Sequence, residues 1–146
     1  MMKKIVPDML DELTELFVDT FNAPPWNDNW SHETARKRLS DIIRMPNFFG
    51  AAEYRDDKIA GLIMGHGEYS YDGMHFQILE FCVANAMKGQ GIGGEMLKEF
   101  IDFLDRKGVT SVYLLTMRGA ASEDFYAAQG FETVSDMCVM SRHKEN

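Results

Sequence analysis

Lys88-Gly89-Gln90-Gly91-Ile92-Gly93-Gly94 follows an apolar, strand-patterned run at 76–83 and opens a strongly amphipathic helix. Four glycines among residues 89–94 exceed what a tight turn needs, and they let the backbone approach a ligand closely. The first amides of the helix find no acceptor inside it and carry the positive end of its dipole. A strand, a glycine loop and a helix start, in that order, make an anion site suited to phosphate or pyrophosphate. The alternative is a turn that lets the helix pack closely. The reading favoured here is a binder of a phosphorylated cofactor.

Working outward, residues 3–6 can form a short strand. Pro7-Asp8 starts a helix with Leu10, Leu13, Phe17 and Phe21 at helical spacing. The run 23–30, with paired prolines and polar turn residues, is a loop. Ser31 is a good N-cap for a second helix whose buried stripe is Ala35, Leu39 and Ile42. Strand-like segments at 48–54 and 59–69 flank a turn at 55–58, and a second turn at 70–73 leads into the strand ending at Val83. The helix after the glycines carries Ile92, Met96, Phe100, Phe103 and Leu104 on one face, with Gly108 as its C-cap. A strand at 109–116, a short helix at 122–129 and a last strand at 131–142 complete the order βααβββαβαβ. Hairpin strands followed by βαβ alternation imply a mixed α/β sheet with helices on both faces, in a single domain over 1–146.

The chain has 146 residues, 45% of them hydrophobic, and a formal net charge of -8. That balance argues against nucleic acid as a partner, because a nucleic-acid surface needs a basic stripe. It suits a cationic substrate, and it equally suits a solubility role. No run is long and apolar enough to span a bilayer, and the start lacks a signal-peptide pattern, so a cytoplasmic protein with no membrane partner is expected. Cys82 and Cys138 lie far apart in apolar runs and read as buried reduced thiols. The four histidines show no metal-ligand spacing, so no metal is expected.

Gly89, Gly91 and Gly94 also match a dinucleotide fingerprint, G-x-G-x-x-G. The context is wrong, because hairpin strands precede it and the next strand ends in Thr116-Met117-Arg118, not an acidic residue. Arg118 facing a 2′-phosphate keeps a nucleotide-dependent oxidoreductase open. A P-loop is excluded, since no Gly-Lys-Ser/Thr follows.

The stretch Lys88-Gly89-Gln90-Gly91-Ile92-Gly93 resembles the acyl-CoA motif of the GCN5-related N-acetyltransferases (GNAT), Arg/Gln-x-x-Gly-x-Gly/Ala. A second element resembles the family's Phe-Tyr-x-x-x-Gly-Phe, here Phe125-Tyr126-Ala127-Ala128-Gln129-Gly130-Phe131. The resemblance covers most of the chain and its order of elements. Lys88 departs from the usual Arg or Gln, and Gly119 stands where the family often has Asn.

The resemblance implies a mostly antiparallel central sheet splayed at the fourth and fifth strands, with acetyl-CoA as cosubstrate. Lys88 and the loop Gly89, Gln90, Gly91, Ile92, Gly93 and Gly94 would hold the pyrophosphate. The strand end Phe81, Cys82 and Val83 would take the pantetheine arm like an added strand, with Phe125 also against the cofactor. Amine attack on a thioester needs a base and an acid. Glu80, a carboxylate in an apolar strand, is the expected base, the alternative being a solvent-facing Glu. Tyr126 is the expected acid toward the CoA sulfur, the alternative being a packing tyrosine.

The acceptor site implied by the family is built from the first two helices, their connecting loop and nearby strand ends. Trp26, Asn27, Trp30 and Tyr69, interleaved with carboxylates, suit a small cationic amine such as a polyamine or an aminoglycoside-like molecule. The alternative is that Trp26 and Trp30 only pin the loop. The Pro24-Pro25-Trp26-Asn27 run resembles small bacterial acetyltransferases, aminoglycoside-modifying members among them. A protein or peptide acceptor and a non-catalytic acyl-CoA module remain open. So does a homodimer paired through the apolar segment 134–140.

Overall fold

Asp56 and Asp57 both adopt positive φ, 51° and 62°, which is the twist-matched geometry of a two-residue hairpin. They join β2 (Phe48–Arg55) to β3 (Lys58–Ser70), where Arg55 pairs with Lys58. A computed structural model describes residues 2–144, which fall into two compact units divided between Leu115 and Thr116.

The first unit holds a five-stranded mixed sheet in the order β1-β2-β3-β4-β5. β1 (Met2–Lys4) through β4 (Gly73–Val83) pair antiparallel, and β5 (Val109–Leu114) is parallel to β4. The parallel pair requires a crossover, and α3 (Ile92–Arg106) supplies it. α1 (Leu10–Phe21) begins after a 3-10 turn at Pro7–Met9. α2 (His32–Ile43) is capped as expected, with the Ser31 hydroxyl accepting from the Thr34 amide.

Helices cover both faces. Leu13, Phe17, Leu39 and Ile42 from α1 and α2 form one core with Ala52, Leu62, Met64 and Cys82 of the sheet. On the other face Phe100 meets Phe76 at 5.7 Å and Phe103 meets Phe49 at 5.4 Å, measured between ring centres.

One irregularity governs the site. Met64 pairs with Glu80, yet the next residue, Gly65, pairs with Ile78, so Leu79 is an extra residue in β4. Such a bulge reverses which face the following side chains meet. Phe76 and Ile78 lie on the α3 face, while Glu80 and Cys82 lie with their partners Met64 and Leu62 on the α1/α2 face. Gly65 allows the tight approach, because a Cβ there would collide with the Gln77 carbonyl.

In the second unit, α4 (Ala121–Ala128) ends before Gly130 at φ 93°. The strand expected at 131–142 is not formed, and residues 131–144 have no strand or helix. Alternating apolar residues become a strand only where a neighbouring edge accepts their hydrogen bonds, and this run has no ladder partner among the described residues. Val134, Met137, Val139 and Met140 are accordingly exposed. The same exposure corrects the reading of Cys138, while Cys82 is buried.

Candidate active site

Gly89 and Gly91 hold φ of 83° and 78°, the left-handed region that side chains resist. A Cβ at either position would meet no atom within 4 Å, so the conformation, not crowding, demands glycine. Gly91 is the N-cap of α3, and no side chain caps it. The first-turn amides are thus left for an outside acceptor, and an open, uncrowded helix start fits a pyrophosphate. Lys88 and Gln90 are exposed beside it.

β4 and β5 pair from Met74 with Val109 to Ile78 with Leu114. β5 stops there, but β4 runs on to Val83, still bonded to β3 on its other side. The edge of Phe81, Cys82 and Val83 that β5 leaves behind is where an extended ligand can add to the sheet. Phe81 and Val83 are half-buried there.

Glu80 is the chemically distinctive side chain of this segment. It is 14% exposed, its Oε1 lies 3.8 Å from Arg38 Nη2, and its Oε2 is buried with no hydrogen-bond partner. Burial pushes its carboxyl up from 4.5 to about 7, against the pull of Arg38 and with the help of the Asp28 carboxylate. A carboxyl at that value exchanges protons at neutral pH, as a general base must. Next along the strand, burial pushes the Cys82 thiol up to about 12, so it stays protonated.

Arg38 was not anticipated from the sequence. The available signal was its place on the buried stripe of α2, three residues after Ala35 and four before Ile42. Asp28, one of the carboxylates interleaved with the loop's aromatics, sits between α1 and α2 and accepts the Trp30 indole N–H at 3.2 Å.

The two tryptophans of that loop differ. Trp30 is a pin: its backbone N–H and C=O both bond the Asn22 amide, at 2.9 Å each, and its ring meets Phe17 edge-on at 5.0 Å. Trp26 is 45% exposed, and Lys88 Nζ lies 4.5 Å from its ring centre. Asn85, just before Lys88, donates to the Asp19 carbonyl at 3.1 Å. The segment leading into the glycine loop therefore touches the loop after α1 through Trp26 and α1 itself through Asp19. Asn27 is exposed, with φ 50°.

Tyr69 is not brought to this cluster. It is 80% exposed near the β3–β4 turn, and strand alternation from Ile63 puts it on the α3 face. Its neighbour Glu68 takes the Glu80 face and accepts from the Tyr113 hydroxyl at 3.3 Å. A shallow groove of about 460 Å³ between α1 and α2, lined by Asp11, Glu15, Glu33 and Arg36 among others, contains none of the expected site residues. Among the described residues no group of three or more His, Cys, Asp or Glu is placed to hold a metal.

In the second unit, Tyr126 is half-buried, with Phe125 at 5.2 Å and Phe131 at 5.5 Å. Glu123 fastens the turn before α4. Its carboxylate accepts the Gly119 amide at 2.7 Å and the Thr133 hydroxyl at 2.9 Å, and those bonds hold its pKa low.

The family model described as the acetyltransferase (GNAT) family matches residues 10–131. This chain belongs to the GNAT family. Its members are acetyltransferases, and this GNAT chain is an enzyme of that kind. Solved structures share the fold at low identity. A GNAT family acetyltransferase from Staphylococcus aureus has a TM-score of 0.73 at 16% identity, covering 99% of this chain and 98% of that one. The aminoglycoside acetyltransferase meta-AAC0020 from an uncultured soil metagenomic sample, in complex with sisomicin, gives 0.73 at 17%, covering 100% and 96%. AAC(6')-Iy, in complex with the bisubstrate analog CoA-S-monomethyl-acetylneamine, gives 0.76 at 12%, covering 99% and 97%. No curated protein sequence matches the chain.

Proposed function

We propose that this GNAT enzyme transfers an acetyl group from acetyl-CoA to a primary amine of a small cationic molecule, a polyamine or an aminoglycoside-like compound. The observation that carries the reading is Glu80, a buried carboxyl with an unpartnered oxygen and a pKa of about 7, on the strand that leads to the glycine loop. An alkylamine of pKa about 10.4 is almost wholly protonated at neutral pH and cannot attack. Glu80 accepts its proton, directly or through water, and the neutral amine attacks the thioester carbonyl. Cys82, protonated up to about 12, is unsuited to an acyl-cysteine step, which favours direct attack.

The remaining roles follow the motifs. Amides from Gln90 to Gly94, with Lys88, hold the pyrophosphate, and Phe81, Cys82 and Val83 bond the pantetheine arm. Phe125 packs against the cofactor, and Tyr126 gives its proton to the departing sulfur. Both units then act as one domain over 1–146, a reading supported by a family match that runs through each of them. Trp26 offers its ring face to the acceptor's cation, beside Asp28 and Asn27. The sisomicin complex of meta-AAC0020 and the CoA-S-monomethyl-acetylneamine complex of AAC(6')-Iy support this acceptor class. We place the enzyme in the cytoplasm. No described helix is long and apolar enough to cross a membrane. We also propose a homodimer through the exposed apolar residues at 134–140, and a monomer in light scattering would refute it.

The deciding experiment follows CoA thiol release from acetyl-CoA with polyamines, aminoglycosides, amino acids and short peptides. Release with the polycations supports the proposal. Release with peptides alone moves the acceptor to protein, and CoA binding without release from any amine leaves a binding module.

A further inference from the structure

We propose that Arg55 sets the affinity of the glycine loop for the cofactor's pyrophosphate by cancelling the charge of Glu95. This rests on the acetyl-CoA reading above. Arg55 ends β2 and reaches from the sheet to the first turn of α3, where its Nη2 meets Glu95 Oε2 at 2.7 Å. The same nitrogen lies 3.6 Å from Oε1 of Glu53, a carboxylate only 3% exposed. One guanidinium is thus shared between a buried carboxylate that fixes it and a surface carboxylate that it neutralises.

Glu95 occupies an awkward place for an anion site. Its amide closes the first turn on the Gly91 carbonyl at 3.2 Å, and an acidic side chain there stabilises a free helix. The amides that attract its charge are those that would bind the pyrophosphate, and a free carboxylate within that turn repels the ligand. Without a counter-charge, the helix end would be tuned for its own stability at the expense of the cofactor. Arg55 removes that conflict while leaving Glu95 in place. Arg55 is therefore a positioning and charge-balancing residue that touches no substrate.

The test is CoA binding by titration calorimetry at low and high salt, on wild type and three variants. Arg55→Ala should weaken binding about fivefold at low ionic strength, and the deficit should shrink as salt screens the exposed carboxylate. Adding Glu95→Gln to Arg55→Ala should restore near-wild-type affinity, and Glu95→Gln alone should bind as tightly as wild type or tighter. A merely structural link predicts the reverse: Glu95→Gln alone weakens binding, the double variant shows no rescue, and the deficit ignores salt. Any of these overturns the proposal. Should Arg55→Ala fail to fold because Glu53 loses its guanidinium neighbour, Glu95→Gln alone decides by the direction of its effect. A wild type that binds no CoA refutes the acetyl-CoA reading itself, whereas wild-type binding unchanged in Arg55→Ala refutes only the role of Arg55.

Discussion

Glu80→Gln should disable the enzyme and stabilise the protein above neutral pH. Burial holds the Glu80 carboxyl at about 7 in the folded chain, against 4.5 for an ordinary glutamate. The folded state therefore binds this proton more tightly than the unfolded state. The stability it contributes is full below about pH 4.5 and is lost as pH rises through about 7. The loss amounts to about 3 kcal/mol at its largest, since each pKa unit corresponds to about 1.4 kcal/mol. Glutamine keeps the shape and cannot ionise. The unfolding free energy of Glu80→Gln minus that of wild type should rise by about 2–3 kcal/mol between pH 4.5 and pH 8. Urea titrations at the two pH values measure it. In the thiol-release assay the variant should lose about a hundredfold or more in rate, together with the acid limb expected of wild type near pH 7. A stability difference that stays flat with pH would refute the buried-carboxyl argument. An acid limb that survives in Glu80→Gln would refute the base assignment.

Arg38 draws the Glu80 pKa down, so Arg38→Met should move the acid limb of the pH–rate profile to higher pH; a limb that stays put would show that the pair is not coupled in solution. Tyr126→Phe should leave acetyl-CoA affinity intact and slow turnover, and equal turnover in the two forms would remove its role as acid. Gly91→Ala forces a side chain into φ 78° and should cost about 1–2 kcal/mol at the helix start, seen as roughly a tenfold loss of CoA affinity in calorimetry. Acetyl-CoA should draw Lys88 from the Trp26 ring and change tryptophan fluorescence, a change that Lys88→Met should abolish.

Most elements were legible in local sequence because their signals are local. The stripe Ala35, Leu39 and Ile42, the Ser31 cap, the Asp56-Asp57 turn and the glycines before α3 each act within a few residues, and each appears where it was read. The expected strand at 131–142 failed for the complementary reason. A strand is half of a pair, and alternation in one segment says nothing of whether an edge is available to it. The family resemblance implies Tyr69 beside the tryptophans, but strand alternation turns it to the other face, and its neighbour Glu68 points to the Glu80 face.

The sequence by itself determined the glycine loop and the helix that follows, because a glycine-rich turn, a helix start and its dipole are set by neighbouring residues. It also marked Glu80 as an oddity in an apolar strand. The tertiary structure alone decided what Glu80 is. Simple alternation along β4 would set Glu80 beside Phe76 and Ile78 on the α3 face. The extra residue Leu79 turns it instead to the α1/α2 face, against Arg38 and near the charge of Asp28. Burial, opposed by Arg38 and helped by Asp28, both far away in sequence, then lifts its pKa to about 7. Such a shift comes from desolvation and through-space charge, which exist only once the chain has folded.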